Sequence, residues 1–97
     1  MAKTIYKLYM LKPTEAWYQL SSEEQASILQ KSQESMDNAG GKIIVSADSS
    51  WSSEEFLFFG VEEYPDIEAE QKHVKFLNDM NLYRYTDSKV ILGTKVE

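Results

Sequence analysis

The chain has no cysteine, one histidine, one arginine and two prolines in 97 residues. Without cysteine there are no disulfides, thiolate nucleophiles, zinc ribbons or iron–sulfur clusters. With His73 as the sole imidazole, a His-based transition-metal site within one chain is not expected. Basic residues are also scarce. Ten Lys and Arg face sixteen Asp and Glu, for a net charge of −6. A nucleic-acid binder clusters Lys and Arg to neutralise phosphates, so none is expected as a partner. The same deficit argues against a polybasic membrane patch. No apolar run approaches the ~18 residues of a membrane span. The N-terminal stretch lacks the apolar core and cleavage-like site of a secretory signal, which makes cytoplasmic residence the expectation. There is no Gly-rich phosphate loop, dinucleotide fingerprint or nucleophile elbow.

What is present is a globular composition, 42% hydrophobic and 12% aromatic, as a folded chain requires. The length fits one domain, spanning 1–97. A domain this small buries only about 60–65% of its unfolded surface. A second subunit would add to that.

Hydrophobic periodicity outlines the elements. Lys3 to Leu11 alternates as a strand, with Ile5, Tyr9 and Leu11 on one face and Tyr6, Leu8 and Met10 on the other. Lys7 is the charged exception. Pro13 and Thr14 end it, and Thr14 is placed to cap a short helical turn through Trp17 to Leu20. Ser21 and Glu24 have capping-box spacing, which predicts a helix to about Asn38. Ile28, Leu29, Ser32, Met36 and Ala39 share one side of it. Gly40-Gly41 supplies a left-handed stop. A short strand, Lys42 to Ser46, and a longer one, Glu54 to Glu63, form a hairpin across a polar connection. Gly60 marks a bulge or a close approach. Asp66 caps a second helix reaching about Met80, with Ile67, Ala69, Val74, Phe76, Leu77 and Met80 on one half of its wheel. A last strand is predicted over Tyr83–Tyr85 and Lys89–Thr94, interrupted at Thr86-Asp87-Ser88.

The order is β-α-β-β-α-β, an α+β ferredoxin-like arrangement with a four-stranded antiparallel sheet and two helices on one face. Two helices cover one face only. Yet Phe56 and Phe58 alternate with Leu57, Phe59 and Val61, so the third strand is apolar on both faces, and the first nearly so. Each large side chain left wet forgoes about 1.5–3 kcal/mol. A second copy packed sheet to sheet relieves this, giving a homodimer with helices outside.

Several segments resemble the dimeric α+β barrel superfamily, which includes antibiotic-biosynthesis-type monooxygenases, muconolactone isomerases and small polyketide cyclases. Within it the chain is most similar to small darcynin-like proteins. The segments are Trp17-x-x-Leu20-Ser21-x-Glu23-Glu24, Gly40-Gly41, and Phe58-Phe59-Gly60-Val61-Glu62-Glu63-Tyr64-Pro65. The resemblance covers nearly the whole chain but consists of structural punctuation. It implies a homodimer, a cavity between each sheet and its helices, and activity often without metal or organic cofactor. By that resemblance no cofactor is expected, and no superfamily-wide catalytic signature exists to carry over.

Candidate chemistry is read from the residues. His73 falls inside the apolar arc of the second helix, with Glu70 three positions earlier and hence adjacent. A buried Glu70–His73 pair suits general acid–base work near neutral pH. A strand tyrosine, Tyr9, can donate to a developing oxyanion. Tyr6 has the opposite parity, so at most one of the two faces the helices. Trp17, Trp51, Phe58, Phe76 and Tyr83 are candidates to line a pocket, and Arg84, the lone arginine, can clamp a carboxylate. Two functions follow. One is a cofactor-independent cyclase, isomerase or monooxygenase acting on a small hydrophobic or aromatic molecule. The other is a non-catalytic homodimeric module that binds a ligand or a protein.

Overall fold

The computed structural model describes residues 3–96. Four strands form one antiparallel sheet: β1 (Ile5–Pro13), β2 (Lys42–Asp48), β3 (Phe58–Tyr64) and β4 (Thr86–Gly93), in the spatial order β2-β3-β1-β4. The helices are α1 (Glu15–Tyr18), α2 (Ser22–Asn38) and α3 (Ile67–Asp79), with a 3₁₀ turn at Leu82–Arg84. Apart from α1 and that turn, this is the expected β-α-β-β-α-β order.

Local chemistry sets the helix ends. Glu24 N–H donates to Ser21 Oγ, and Ser21 N–H donates to Glu24 Oε1, each at 3.1 Å. This reciprocal capping box starts α2. Ala69 N–H donates to Asp66 Oδ1 at 2.8 Å and starts α3. Gly40, with φ +80°, takes the left-handed conformation that ends α2. Asn81 does the same after α3, at φ 58°.

Several boundaries differ from the sequence reading. β1 runs on through Pro13, because beyond Leu11 it pairs with β4 alone and a missing N–H costs nothing on the vacated side. Thr14 stands at the N-cap of α1 but its side chain makes no capping bond; its hydroxyl donates instead to Arg84 O at 2.6 Å. The turn ends at Tyr18 instead of Leu20. Residues 54–57 are not strand. Ser49 Oγ donates to Phe56 O, and Phe56 N–H donates to Ser53 Oγ. Serine side chains there replace ladder partners. Thr86, Asp87 and Ser88 do not interrupt β4 but begin it, opposite Pro13, Lys12 and Leu11. Tyr83 lies in the 3₁₀ turn instead of a strand. The irregularity of the hairpin is in β2, between Ile43 and Val45, not at Gly60.

The register decides which side chains share a face. Lys7 sits between Glu62 and Leu92, Tyr9 between Gly60 and Val90, and Leu11 between Phe58 and Ser88. These rungs face the helices. Leu8, between Val61 and Ile91, centres the opposite face. Met36 and Tyr64 are the buried apolar side chains, and they meet over Gly41. The helices stand off the sheet beyond that point, leaving a cleft.

Candidate functional site

The cleft lies between the helices and the inner sheet face, with a volume of about 740 Å³, within the range of small-molecule sites. Lys7, Tyr9, Leu11 and Pro13 run along its floor in that order, a path of about 20 Å at strand spacing. Ile28, Leu29, Ser32 and Met36 of α2 form one wall; His73 and Leu77 of α3, with Leu82, form the other. Trp17 and Thr86 border the outer end. Trp17 also packs edge-on against Tyr85, with ring centroids 6.3 Å apart.

The inner end is polar. Lys7 Nζ lies 3.0 Å from Glu70 Oε2, both side chains almost fully buried. Glu70 Oε1 accepts from Gln71 Nε2 at 2.7 Å. Tyr64 OH donates to Glu62 Oε1 at 2.7 Å. His73, 3% exposed, shares a 2.9 Å hydrogen bond between Nδ1 and Ser35 Oγ. The two helices are thus tied together over the recess. Nε2 is the ring nitrogen left for a ligand.

Burial holds His73 below its ordinary pKa of 6.5. Glu62 and Glu70 oppose that shift and Lys7 adds to it, but desolvation is the largest cause. The imidazole is therefore neutral at pH 7 and can accept a proton. Desolvation, and then the Glu62 carboxylate, push the Tyr64 phenol far above its usual range. It remains a hydrogen-bond donor.

Tyr9 lies flat across the sheet. A Cβ at residue 60 would come within 2.6 Å of its hydroxyl and of Val45 O. Gly60 thus marks a close approach. The hydroxyl reaches Ser46 Oγ at 3.4 Å and borders the same cleft as His73.

The sequence candidates separate accordingly. His73, Tyr9, Trp17 and Phe58 border the cleft. Glu70 is buried beneath it, but its partner is Lys7 instead of His73, because Ser35 occupies the imidazole. Tyr6 is on the opposite sheet face, in a shallow groove with Leu8, Val61 and Ile91. Trp51, 85% exposed, sits in the β2–β3 loop outside the cleft lining. Phe76 and Tyr83 are exposed and also lie outside it. Arg84 is exposed, so no arginine clamp faces the cleft. Lys7, Glu62 and Ser35 were not among the candidates. A charge on the otherwise apolar inner parity of β1 was the one available signal, at Lys7. Among the described residues, no cluster of three or more His, Asp or Glu is arranged to hold a metal.

No protein-family model matches the sequence, and no curated protein matches it. Solved structures do match its fold. A chlorite dismutase variant from Candidatus Nitrospira defluvii superposes with a TM-score of 0.76 at 10% identity, over 99% of this chain and 41% of that one. The imidazole complex of that enzyme gives the same values. A protein of unknown function from Rhodopseudomonas palustris gives 0.67 at 18% identity, over 100% of this chain and 85% of that one. The chain thus spans about two fifths of the chlorite dismutase chains it resembles. The likeness is one of fold: a four-stranded antiparallel sheet with helices in the ferredoxin-like α+β arrangement.

Proposed function

We propose that the cleft is the active site of an enzyme acting on a small hydrophobic or aromatic molecule without a metal or organic cofactor. The supporting observation is the placement of a neutral, buried His73 and the Tyr9 hydroxyl on one largely apolar cleft. In the tautomer with Nδ1–H donating to Ser35, Nε2 carries the lone pair. It takes a proton from an activated carbon of the substrate. The Tyr9 hydroxyl, set by Ser46, donates to the oxygen on which charge develops. Returning the proton to another carbon completes an isomerisation; attack of the carbanion on a carbonyl carbon of the same molecule closes a ring, and the proton goes back to the resulting alkoxide. An oxygenation would use the same carbanion with dioxygen as co-substrate, through a hydroperoxide that loses water to leave a carbonyl. Fold does not carry chemistry, so the chlorite dismutase activity of the fold relatives is not transferred.

The test is turnover of enolisable aromatic ketones and phenols by the wild-type protein and by His73→Ala. Loss of about 10²–10⁴-fold in kcat with binding retained supports the assignment. Unchanged turnover by the variant removes His73 as the base.

A second reading is a non-catalytic binding module. It is favoured by the polar groups of the inner end pairing among themselves, Lys7 with Glu70 and Tyr64 with Glu62. In that case His73→Ala binds as before and no substrate turns over.

We also propose that the protein works as a homodimer through the outer sheet face. The chain exposes 6806 Å², whereas a folded monomer of its mass exposes about 5,700 Å². The excess of roughly 1,100 Å² is larger than the ~800 Å² that one partner buries in a standard interface, and the open cleft contributes to it along with the outer sheet face. Phe59, Val45 and Ile91 are exposed on that face. The darcynin-like resemblance rests on the motifs at Trp17–Glu24 and Phe58–Pro65, and cytoplasmic residence on the cysteine-free composition. No helix among the described residues is long and apolar enough to cross a membrane.

A further inference from the structure

The inner end of the cleft has unequal numbers of positive and negative groups. Lys7 is the cation there, and its ammonium is 3.0 Å from Glu70. His73 is neutral, since burial lowers its pKa. Glu62 borders the cleft directly opposite Lys7 in register. Among the described residues it has no cation within ion-pair distance. Its one hydrogen-bond donor is the Tyr64 phenol, on Oε1. Two carboxylates against one ammonium leave one surplus negative charge, half-buried at the closed end of an apolar slot. The second carboxylate on the cleft, Asp48, is at the outer end, where Ser50 N–H and Oγ already donate to it at 2.9 and 2.6 Å. The lone arginine is elsewhere. The net charge of −6 further disfavours anions.

We infer that the cleft takes an organic cation, a primary amine on an apolar or aromatic body, with its ammonium against Glu62 and its body along Tyr9, Leu77 and Val90 toward Trp17. Carboxylate ligands of the same shape are disfavoured by the same charge. This rests on the cleft being a ligand site, as proposed above, and adds the chemical class of the ligand.

The experiment uses three probes of matched size: naphthylethylamine, naphthylethanol and naphthylacetate. Binding to the full chain at pH 7 is followed by amide chemical-shift perturbation at Leu77 and Val90. The amine is expected to bind at least about tenfold tighter than the acid, with the alcohol between them. Glu62→Gln keeps an acceptor for the Tyr64 hydroxyl and removes the charge. It should bring amine and acid to within about threefold of each other, while Asp48→Asn keeps the preference. Circular dichroism of each variant confirms that it is folded. Equal or tighter binding of the acid overturns the inference and leaves the cleft reading intact. A preference that survives Glu62→Gln or disappears in Asp48→Asn overturns the placement of the head group. If none of the three probes perturbs Leu77 or Val90, the cleft reading falls, and the inference with it.

Discussion

Lys7 Nζ lies 3.0 Å from Glu70 Oε2 beneath α3, with side-chain exposures of 8% and 2%. Two charges withdrawn from water gain back through mutual attraction roughly what desolvation costs. Removing one leaves the other unpaired. Lys7→Met or Glu70→Leu alone should therefore lower stability by about 3–5 kcal/mol. The double variant should recover much of that loss, measured as the coupling in a urea-denaturation cycle. Strictly additive losses would show that the pair is not coupled.

Gly41 and Gly60 test how tightly the interior is fitted. A Cβ at residue 41 would come within 2.6 Å of the Tyr64 ring and 2.7 Å of Met36. At residue 60 it meets the Val45 carbonyl at 2.6 Å, which is backbone and cannot swing away. Each Gly→Ala change should cost about 1–3 kcal/mol. Gly60→Ala should remain destabilising in a Tyr9→Ala background, because Val45 O is still there. Full rescue by Tyr9→Ala would place the whole clash on the phenol.

Leu8 occupies the centre of the outer sheet face, between Val61 and Ile91. Light scattering should give the wild-type protein twice the mass of one chain. Leu8→Asp should give a folded species of single-chain mass. A wild-type monomer in dilute solution would contradict the dimer.

Acid should weaken the fold through His73. Its folded pKa is depressed by burial, so below about pH 6.5 the unfolded chain binds the proton and the folded chain resists it. The unfolded state then holds more protons, and stability falls as pH falls. Tyr64 acts at the other limit. Its raised pKa means the unfolded chain ionises first, so stability falls above about pH 10. Urea midpoints at pH 7 and pH 5 should differ for the wild type and differ less for His73→Gln. Equal slopes in the two proteins would show that His73 is not the titrating group.

Much of the architecture was legible because it depends on local chemistry. The Ser21/Glu24 box, the Asp66 cap and the Gly40 stop are each encoded within four residues, and the period-two parity of β1 put Tyr9 and Lys7 on one face. The boundaries that shifted depend on distant partners. Pro13 is strand because Thr86 pairs with it, and Phe56 is loop because Ser49 and Ser53 satisfy its backbone. The site was readable in part for the same reason. His73 and Tyr9 were visible from helix and strand periodicity. The pairing of Glu70 with Lys7, 63 positions away, required the register. So did the approach of Ser35 to His73 and the placement of Glu62 opposite Lys7.

The imidazole of His73 reports directly on the proposed site. As the chain has a single histidine, the imidazole nitrogen signals of a uniformly labelled sample belong to His73 alone. The titration midpoint is expected below 6.5, and the Nε2 signal is expected to move when a ligand fills the cleft, while Nδ1 keeps its bond to Ser35. A midpoint at or above 6.5, with Nε2 unmoved by any bound ligand, would contradict the proposed site.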